Sequence, residues 1–531
     1  MHWTGFNDLS IENCGLALGG GILGTIVTLI NPNIVFQRND IFTTGIVYMP
    51  IGLAYFAAAV SDYGFECNVI DAFGEKPNQY YLECGFGFRG LTPSEVAERI
   101  EPNSKAVVLY ASNITYHSSI IRIIRAVRLK FPTISIIVLE NTQAVTAYSL
   151  SAVQETFHEI GADYIVTGEG ENRGIKLLQK LLMENTRGNI SSIDGVGFRE
   201  NRKIHYSPCK GYIEDLDNLS FPAWDLFPLK NYWRLKYAHG PFETKRYLPI
   251  LTSRGCPYHC NFCVIPQTND GNWRGRSAGN VVDEIEAHSL KYGVNEFHIE
   301  DVNPTVNDGR TREICEELLR RKLVVEWKLC SGTKVETIKD EKTIETMARA
   351  GCRYISISPE TGSSRLLKMM NKPFNLVHAV RLIKKMSDVG IYSQACFVLG
   401  YPGENDEDLQ MTRDLVRNLA KVGVDEIALF IVVPVPGAAI FKQFSGYRDY
   451  SQLNFSPTWR VEYRVLNQFR FKLYRDFLFW KTRYHPKKIL QQPFNFAMRR
   501  FKTKMEMTPY RALHTMLLGT GIVGKKVQNE N

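Results

Sequence analysis

The sequence predicts an α/β protein with two parallel-sheet units in series, a doubly wound Rossmann-like domain and then a partial (β/α)6 barrel, followed by a helical C-terminal segment. Three observations predict this. Between residues 25 and 185, short β-branched runs alternate with stretches of helical periodicity. From 248 to about 437, six strand–helix units follow one another. Beyond residue 450, aromatic and basic residues recur at a spacing that suits helices with one apolar and one basic face. With 531 residues, 44% of them hydrophobic, the chain is long enough for two to four domains with substantial cores.

In chain order, the first unit is expected to have strands at 25–30, 66–71, 106–111, 134–140 and 164–167, with helices at 52–63, 118–131 and 151–160. Residues 14–30 are the one candidate membrane span. They contain five glycines, fall short of about 20 apolar residues, and follow Asp8 and Glu12 where a signal peptide carries positive charge. We therefore read 25–30 as a buried first strand ending at the turn Asn31-Pro32-Asn33. Sheets of this kind bind ligands at the carboxyl ends of their strands.

Residues 186–247 read as a connector, because 215–225 are rich in turn formers and show little periodicity. Barrel strands are expected at 248–252, 296–300, 325–330, 354–358, 392–399 and 426–433. The boundaries that follow are 1–185, 186–247, 248–440 and a basic, aromatic-rich region at 441–531.

After the first barrel strand, Cys256, Cys260 and Cys263 form the spacing CxxxCxxC. Three thiolates on one loop can hold three irons of a [4Fe–4S] cluster and leave the fourth iron open. Zinc normally needs four ligands, and no second pair accompanies these, although His259 lies within the loop. The eleven cysteines are an odd number, and the other eight are scattered, several of them in apolar runs. They read as structural thiols of a reducing cytosol.

This motif resembles the signature of the radical S-adenosylmethionine (SAM) enzymes, in which SAM chelates the open iron and is cleaved to methionine and a 5′-deoxyadenosyl radical. Further positions extend the resemblance. Phe262 precedes the third cysteine, Glu300-Asp301 ends the second barrel strand, and Glu360-Thr361-Gly362 ends the fourth. Leu366 to Lys372 continues the match, Gly400-Tyr401-Pro402-Gly403 follows the fifth strand, and Arg276-Ser277 follows the cluster loop. The resemblance implies SAM contacts from Glu360, Asp301, Phe262, Gly403 and Arg276. For Asp301 a helix cap, and for Arg276 a surface salt bridge, are equal alternatives.

The first unit resembles the cobalamin-binding domain that precedes the barrel in many of these enzymes. Pro50 to Tyr55, Asp71-Ala72 and Gly168-Glu169-Gly170-Glu171 carry that likeness. It implies cobalamin contacts from Ile51, Gly52, Ser112, Asn113, Asn141, Gln143, Gly168, Glu169 and Gly170. The chain departs from the family at Glu140 to Gln143, where relatives often have a glycine-rich turn, and it lacks a DxHxxG motif. His117 is the only imidazole nearby and reads as a surface or hydrogen-bonding residue, so no lower histidine ligand to cobalt is expected. The alternative for this unit is a degenerate Rossmann-like domain used for packing.

The function implied is that of a cobalamin-dependent radical SAM methyltransferase acting on an unactivated carbon of a small-molecule or lipid-linked substrate. An external donor such as flavodoxin or ferredoxin would supply electrons. A cobalamin-linked oxidoreductase or cyclase without methyl transfer is the alternative, and a non-catalytic Fe–S or corrin-binding protein is a third reading. Residues 451–531 hold sixteen Lys or Arg against four Asp or Glu, and fourteen aromatics. A helical cap with a solvated basic side is the first reading of this tail, and contact with an anionic membrane surface the second. Nucleic acid is the least favoured, because no RNA-binding module is present. The expected location is the cytoplasm, with the basic tail a candidate for peripheral contact at the inner membrane face.

Overall fold

The computed structural model describes residues 24–38, 40, 42, 44–183, 187–521 and 525–526. Of the candidate span at 14–30, residues 14–23 lie outside the described residues. The remainder enters β1 (Ile26–Asn31), which is buried at every position, as a strand covered by helices on both faces must be. Among the described residues, no helix is long and apolar enough to cross a membrane.

The first sheet continues through α1 (Ile51–Asp62), β2 (Glu66–Asp71), β3 (Ala106–Ala111), α2 (His117–Lys130), β4 (Ser135–Glu140), β5 (Tyr164–Val166) and α3 (Gly170–Leu182). A hairpin of β6 (Val196–Glu200) and β7 (Lys203–Tyr206) extends its edge antiparallel. The strand order is β2-β1-β3-β4-β5-β6-β7, with β2 through β5 parallel. The order reverses between β1 and β3, the point beyond whose carboxyl ends sheets of this kind bind ligands.

The hairpin lies in the expected connector, where its short, half-exposed strands carry no apolar run. A second, four-stranded sheet also escaped the sequence reading. It joins Ile34–Gln37, Gln79–Glu83 and Phe86–Arg89 to Lys525–Lys526 from the far end of the chain.

The barrel strands are β8 (Tyr247–Ile250), β9 (Glu296–Ile299), β10 (Glu326–Thr333), β11 (Cys352–Glu360), β12 (Tyr392–Leu399) and β13 (Glu426–Ile431). They pair in parallel in that order, with helices α4 (Ala278–Tyr292), α5 (Asp308–Arg320), α6 (Glu341–Arg349), α7 (Leu376–Asp388) and α8 (Asp406–Val422) between them. Alternation along the strands turns polar residues into the barrel: Glu296 and His298 on β9, Lys328 and Cys330 on β10, Tyr354 and Ser356 on β11, Gln394 on β12 and Glu426 on β13. Several of them satisfy one another, for example Tyr354 to Glu426 at 2.5 Å and Ser356 to Gln394 at 2.8 Å.

In the C-terminal region, α9 (Tyr463–Tyr484) buries Leu466, Leu473, Phe477 and Trp480 against α8 and β13. The N-terminus of α10 (Lys504–Thr520) donates the Lys504 and Met505 N–H groups to Glu426. One connected hydrophobic core runs from Val27 in β1 to Met507 in α10.

Candidate functional site

Chemistry-bearing residues collect where the carboxyl ends of the two sheets face each other. The cluster loop leaves β8 and is clamped along its length. At Gly255, φ is +79° and a Cβ would meet the Asn272 carbonyl at 2.0 Å, so only glycine makes that turn. Asn261 donates its N–H to the Met370 carbonyl (3.0 Å) and its amide to the Met369 carbonyl (2.8 Å). Asn371 donates to the His259 carbonyl (2.8 Å). These contacts give Leu366 to Lys372 a physical role, holding the loop that carries Cys256, Cys260 and Cys263.

Burial pushes the Cys260 thiol up to about 11 and the Cys263 thiol up to about 12, and it raises Cys256 as well; Lys372 opposes all three shifts. Buried thiols near ammonium groups suit a metal that replaces their protons. Their layout bears on which metal. Four thiolates around one zinc sit about 4 Å apart, given a Zn–S bond near 2.3 Å. Among the described residues, the one group of three metal-ligating side chains converging that tightly is His298, Glu300 and Cys330, not the loop cysteines. A wider triad fits a multi-iron cluster.

Glu360 ends β11 with φ +65°, beside an irregularity in the β11–β12 pairing. A non-glycine residue in this region stores about 1–3 kcal/mol of strain, a feature concentrated at functional sites. Its carboxylate is buried and pairs with Lys372 Nζ at 2.5 Å. Burial raises the Glu360 carboxyl and Lys372 opposes the shift. Lys372, which the resemblance included in the Leu366 to Lys372 stretch without a role, also lies 5.9 Å from the centre of the Phe262 ring. Phe262 itself packs against Leu366, Met370, Val398, Tyr401, Val432 and Ile440. Gly403 has φ +84° and accepts from Arg365 at 2.8 Å.

Asp301 is buried, and its oxygens accept from the Thr252 N–H (2.7 Å), the Thr252 hydroxyl (2.6 Å) and the Ser253 hydroxyl (2.5 Å). Its carboxylate anchors the start of the cluster loop and caps no helix. Arg276 is also buried, not on the surface. It bonds Asn280, the Leu251 carbonyl, Glu284 and the Tyr55 hydroxyl, and so ties the barrel to α1.

On the first sheet, Ile51 and Gly52 open α1, and a Cβ on Gly52 would fall 2.2 Å from the Tyr110 hydroxyl. Asn113 bonds Thr146, Asn141 donates to the Ser112 carbonyl, and Gln143 donates to Thr142. Ser112 Oγ and Gln143 Oε1 are buried without partners. Two orphaned polar atoms beyond the ends of β3 and β4 are what a polar ligand there would satisfy, so these residues fit a corrin.

Gly168 donates its N–H to Glu140, whose carboxyl burial pushes up to about 7. The Glu169 carboxylate meets Arg254 and Arg274, and Glu171 meets Arg254 at 2.7 Å. Glu169 is therefore a joint between the two sheets, while Gly170 starts α3 with no room for a Cβ beside Leu139. His117 is buried, not on the surface, with Tyr148, Phe157 and Tyr450 against its ring, and burial lowers it to about 4.

Residues 250–416 match the radical SAM superfamily. The cytidylyl-2-hydroxyethylphosphonate methyltransferase of Streptomyces wedmorensis is 26% identical over 78% of this chain and 81% of its own length. The anaerobic magnesium-protoporphyrin IX monomethyl ester cyclase of a Synechocystis strain is 25% identical over 81% of this chain and 80% of its own. Among solved structures, the radical SAM methyltransferase TsrM from Kitasatospora setae, with cobalamin and a [4Fe–4S] cluster bound, superposes with a TM-score of 0.60 at 18% identity. That superposition covers 80% of this chain and 79% of TsrM, and it shows a shared fold. The barrel thus carries a radical SAM domain over residues 250–416.

Proposed function

We propose that this chain is a cobalamin-dependent radical SAM methyltransferase acting on a small molecule. The observation that carries this reading is the meeting of the carboxyl-end loops of the two sheets, Arg254 with Glu169 and Glu171 and Asn269 with Thr142, with the thiol triad on the barrel side and the orphaned Ser112 and Gln143 atoms on the other. The methyltransferase relative, similar along most of both chains, supports it. When bound, the cluster supplies the electron that cleaves SAM, and the corrin supplies the methyl group.

The chain's own residues set the geometry for that chemistry. Cys256, Cys260 and Cys263 would hold the cluster. Asp301 fixes the loop's origin through Thr252 and Ser253, and the Leu366 to Lys372 stretch fixes its far end. Glu360 and Lys372, a buried carboxylate and ammonium side by side, offer an acceptor and a donor to the polar end of SAM. Arg254, Arg274 and Arg276 hold the sheets together, so that reacting groups on opposite sides keep one distance.

A ring-forming oxidoreductase is the second reading, supported by the cyclase relative. One experiment separates the two: turnover with SAM deuterated in its methyl group, by anaerobically reconstituted protein with a flavodoxin or ferredoxin donor. Label in the product supports methyl transfer. A product changed by two electrons and free of label supports ring formation.

A further inference from the structure

We propose that His298, Glu300 and Cys330 form a second metal site inside the barrel, one that takes a zinc-class dication. His298 and Glu300 stand two residues apart along β9 and its immediate extension, so both point to the same face. Cys330 lies on the neighbouring β10, two residues beyond Lys328, which pairs with His298. A His298 ring nitrogen, a Glu300 carboxylate oxygen and the Cys330 sulfur all lie within 4.8 Å of one another. A mixed nitrogen, oxygen and sulfur set suits Zn2+; magnesium and calcium take oxygen throughout.

A second observation points to a ligand. His298 is fully buried, its Nε2 is 2.9 Å from Glu296 Oε1, and its Nδ1 has no partner. Glu296 is itself held by Lys328 Nζ at 2.9 Å and the Thr244 N–H at 2.8 Å. A carboxylate behind an imidazole orients the ring and decides which nitrogen meets an ion. Glu300 is oriented in the same manner, with Oε2 2.7 Å from His239 Nδ1. Lys504 Nζ donates to His239 Nε2 at 3.3 Å, so the His239 proton sits on Nδ1 and faces Glu300. The Cys330 thiol makes a weak contact of 3.7 Å with the Lys328 carbonyl. Beside it, a Cβ on Gly240 would stand 2.3 Å from the Cys330 sulfur and 2.8 Å from His298 Nδ1, so glycine keeps the donors' gap clear.

The charges balance. A dication displaces the Cys330 thiol proton to solvent, and the thiolate and the Glu300 carboxylate then neutralise it. Lys504, which donates to the Cys330 carbonyl at 2.8 Å, would face a neutral centre. Three protein ligands leave a fourth position for water or for an oxygen of the substrate, as in catalytic zinc sites.

The test uses the full chain with its cluster reconstituted, dialysed against Zn2+ and then against buffer. We expect about one zinc per chain, with a zinc-edge absorption spectrum showing one sulfur and about three lighter atoms in the first shell. Cys330→Ala should lose the zinc and the sulfur scatterer while keeping full iron content and a wild-type circular dichroism melt. If Cys330→Ala does not fold, Cys330→Ser, which preserves volume, should bind zinc at least tenfold more weakly. No zinc in the wild type, zinc retained in the folded Cys330 variants, or a shell of several sulfurs drawn from the loop cysteines would each overturn the proposal.

Discussion

Lys372 Nζ lies 2.5 Å from Glu360 Oε1, with both side chains buried and the Glu360 backbone in the left-handed region. This pair couples the end of a barrel strand to the loop that presents the cysteines, since Lys372 also bears electrostatically on Cys260 and Cys263. Breaking one side of a buried pair leaves an uncompensated charge, a loss of about 3–5 kcal/mol. Lys372→Met should therefore lower unfolding free energy by roughly that amount, and adding Glu360→Gln should restore a large part of it. Urea unfolding of the two single variants and the double variant checks this, and equal losses in Lys372→Met and the double variant would refute it.

Replacing Cys256, Cys260 and Cys263 together by alanine should abolish the brown chromophore. Anaerobically reconstituted wild type should hold about four iron and four sulfide per chain. Iron analysis of both proteins decides, and a full cluster in the variant would move the ligands elsewhere.

Arg254 joins the barrel to Glu169 and Glu171 on the first sheet, with all three side chains buried. Arg254→Ala should strand the Glu171 carboxylate, while Glu169 keeps Arg274, and cost about 3 kcal/mol at the joint. Limited proteolysis should then cut faster within residues 186–247. A protease pattern unchanged from wild type would show that the joint holds without it.

Glu140 and Glu404 are both pushed up to about 7 by burial. Between pH 4.5 and 7 these two carboxyls bind more protons in the folded chain than in the unfolded chain, so their contribution to stability falls as pH rises through that window, whereas His117 and His514, lowered to about 4 by burial, contribute in the opposite sense. Each shift corresponds to roughly 3 kcal/mol at its full extent. The denaturation midpoint at pH 5.5 minus that at pH 8 should be larger in wild type than in Glu140→Gln, and an equal difference in the two proteins would refute the assignment.

His117 sits among Tyr148, Phe157 and Tyr450 and bonds the Tyr148 hydroxyl at 3.4 Å. Protein loaded with hydroxocobalamin should therefore show the same visible spectrum in wild type and His117→Ala. A spectral change in cobalt ligation would make His117 a ligand after all.

Much of this architecture was legible in the residues. β2, β3 and β12 begin and end where the sequence places them; β3, buried at every position, reads as an unbroken apolar run because helices cover both of its faces. The CxxxCxxC loop was legible for a different reason, since close thiol spacing has few other uses. The β6–β7 hairpin was not legible, because its residues are polar and half exposed. Nor was the pairing of Lys525–Lys526 with Gln79–Glu83, which joins segments from opposite ends of the chain.

Local spacing in the sequence determined the strand–helix alternation and the thiol loop, since both depend on residues a few positions apart. The tertiary structure alone decided what the charged residues do. Arg276 and Glu169 read as ligand contacts by position, yet each is held across the joint between the sheets by partners more than 80 residues away. Lys372 closes a stretch that the resemblance gave no role and Glu296 lies in no motif, and their importance arises from being buried beside Glu360 and His298. A charge removed from water must find a partner wherever the fold puts one, and that choice is made by packing in three dimensions.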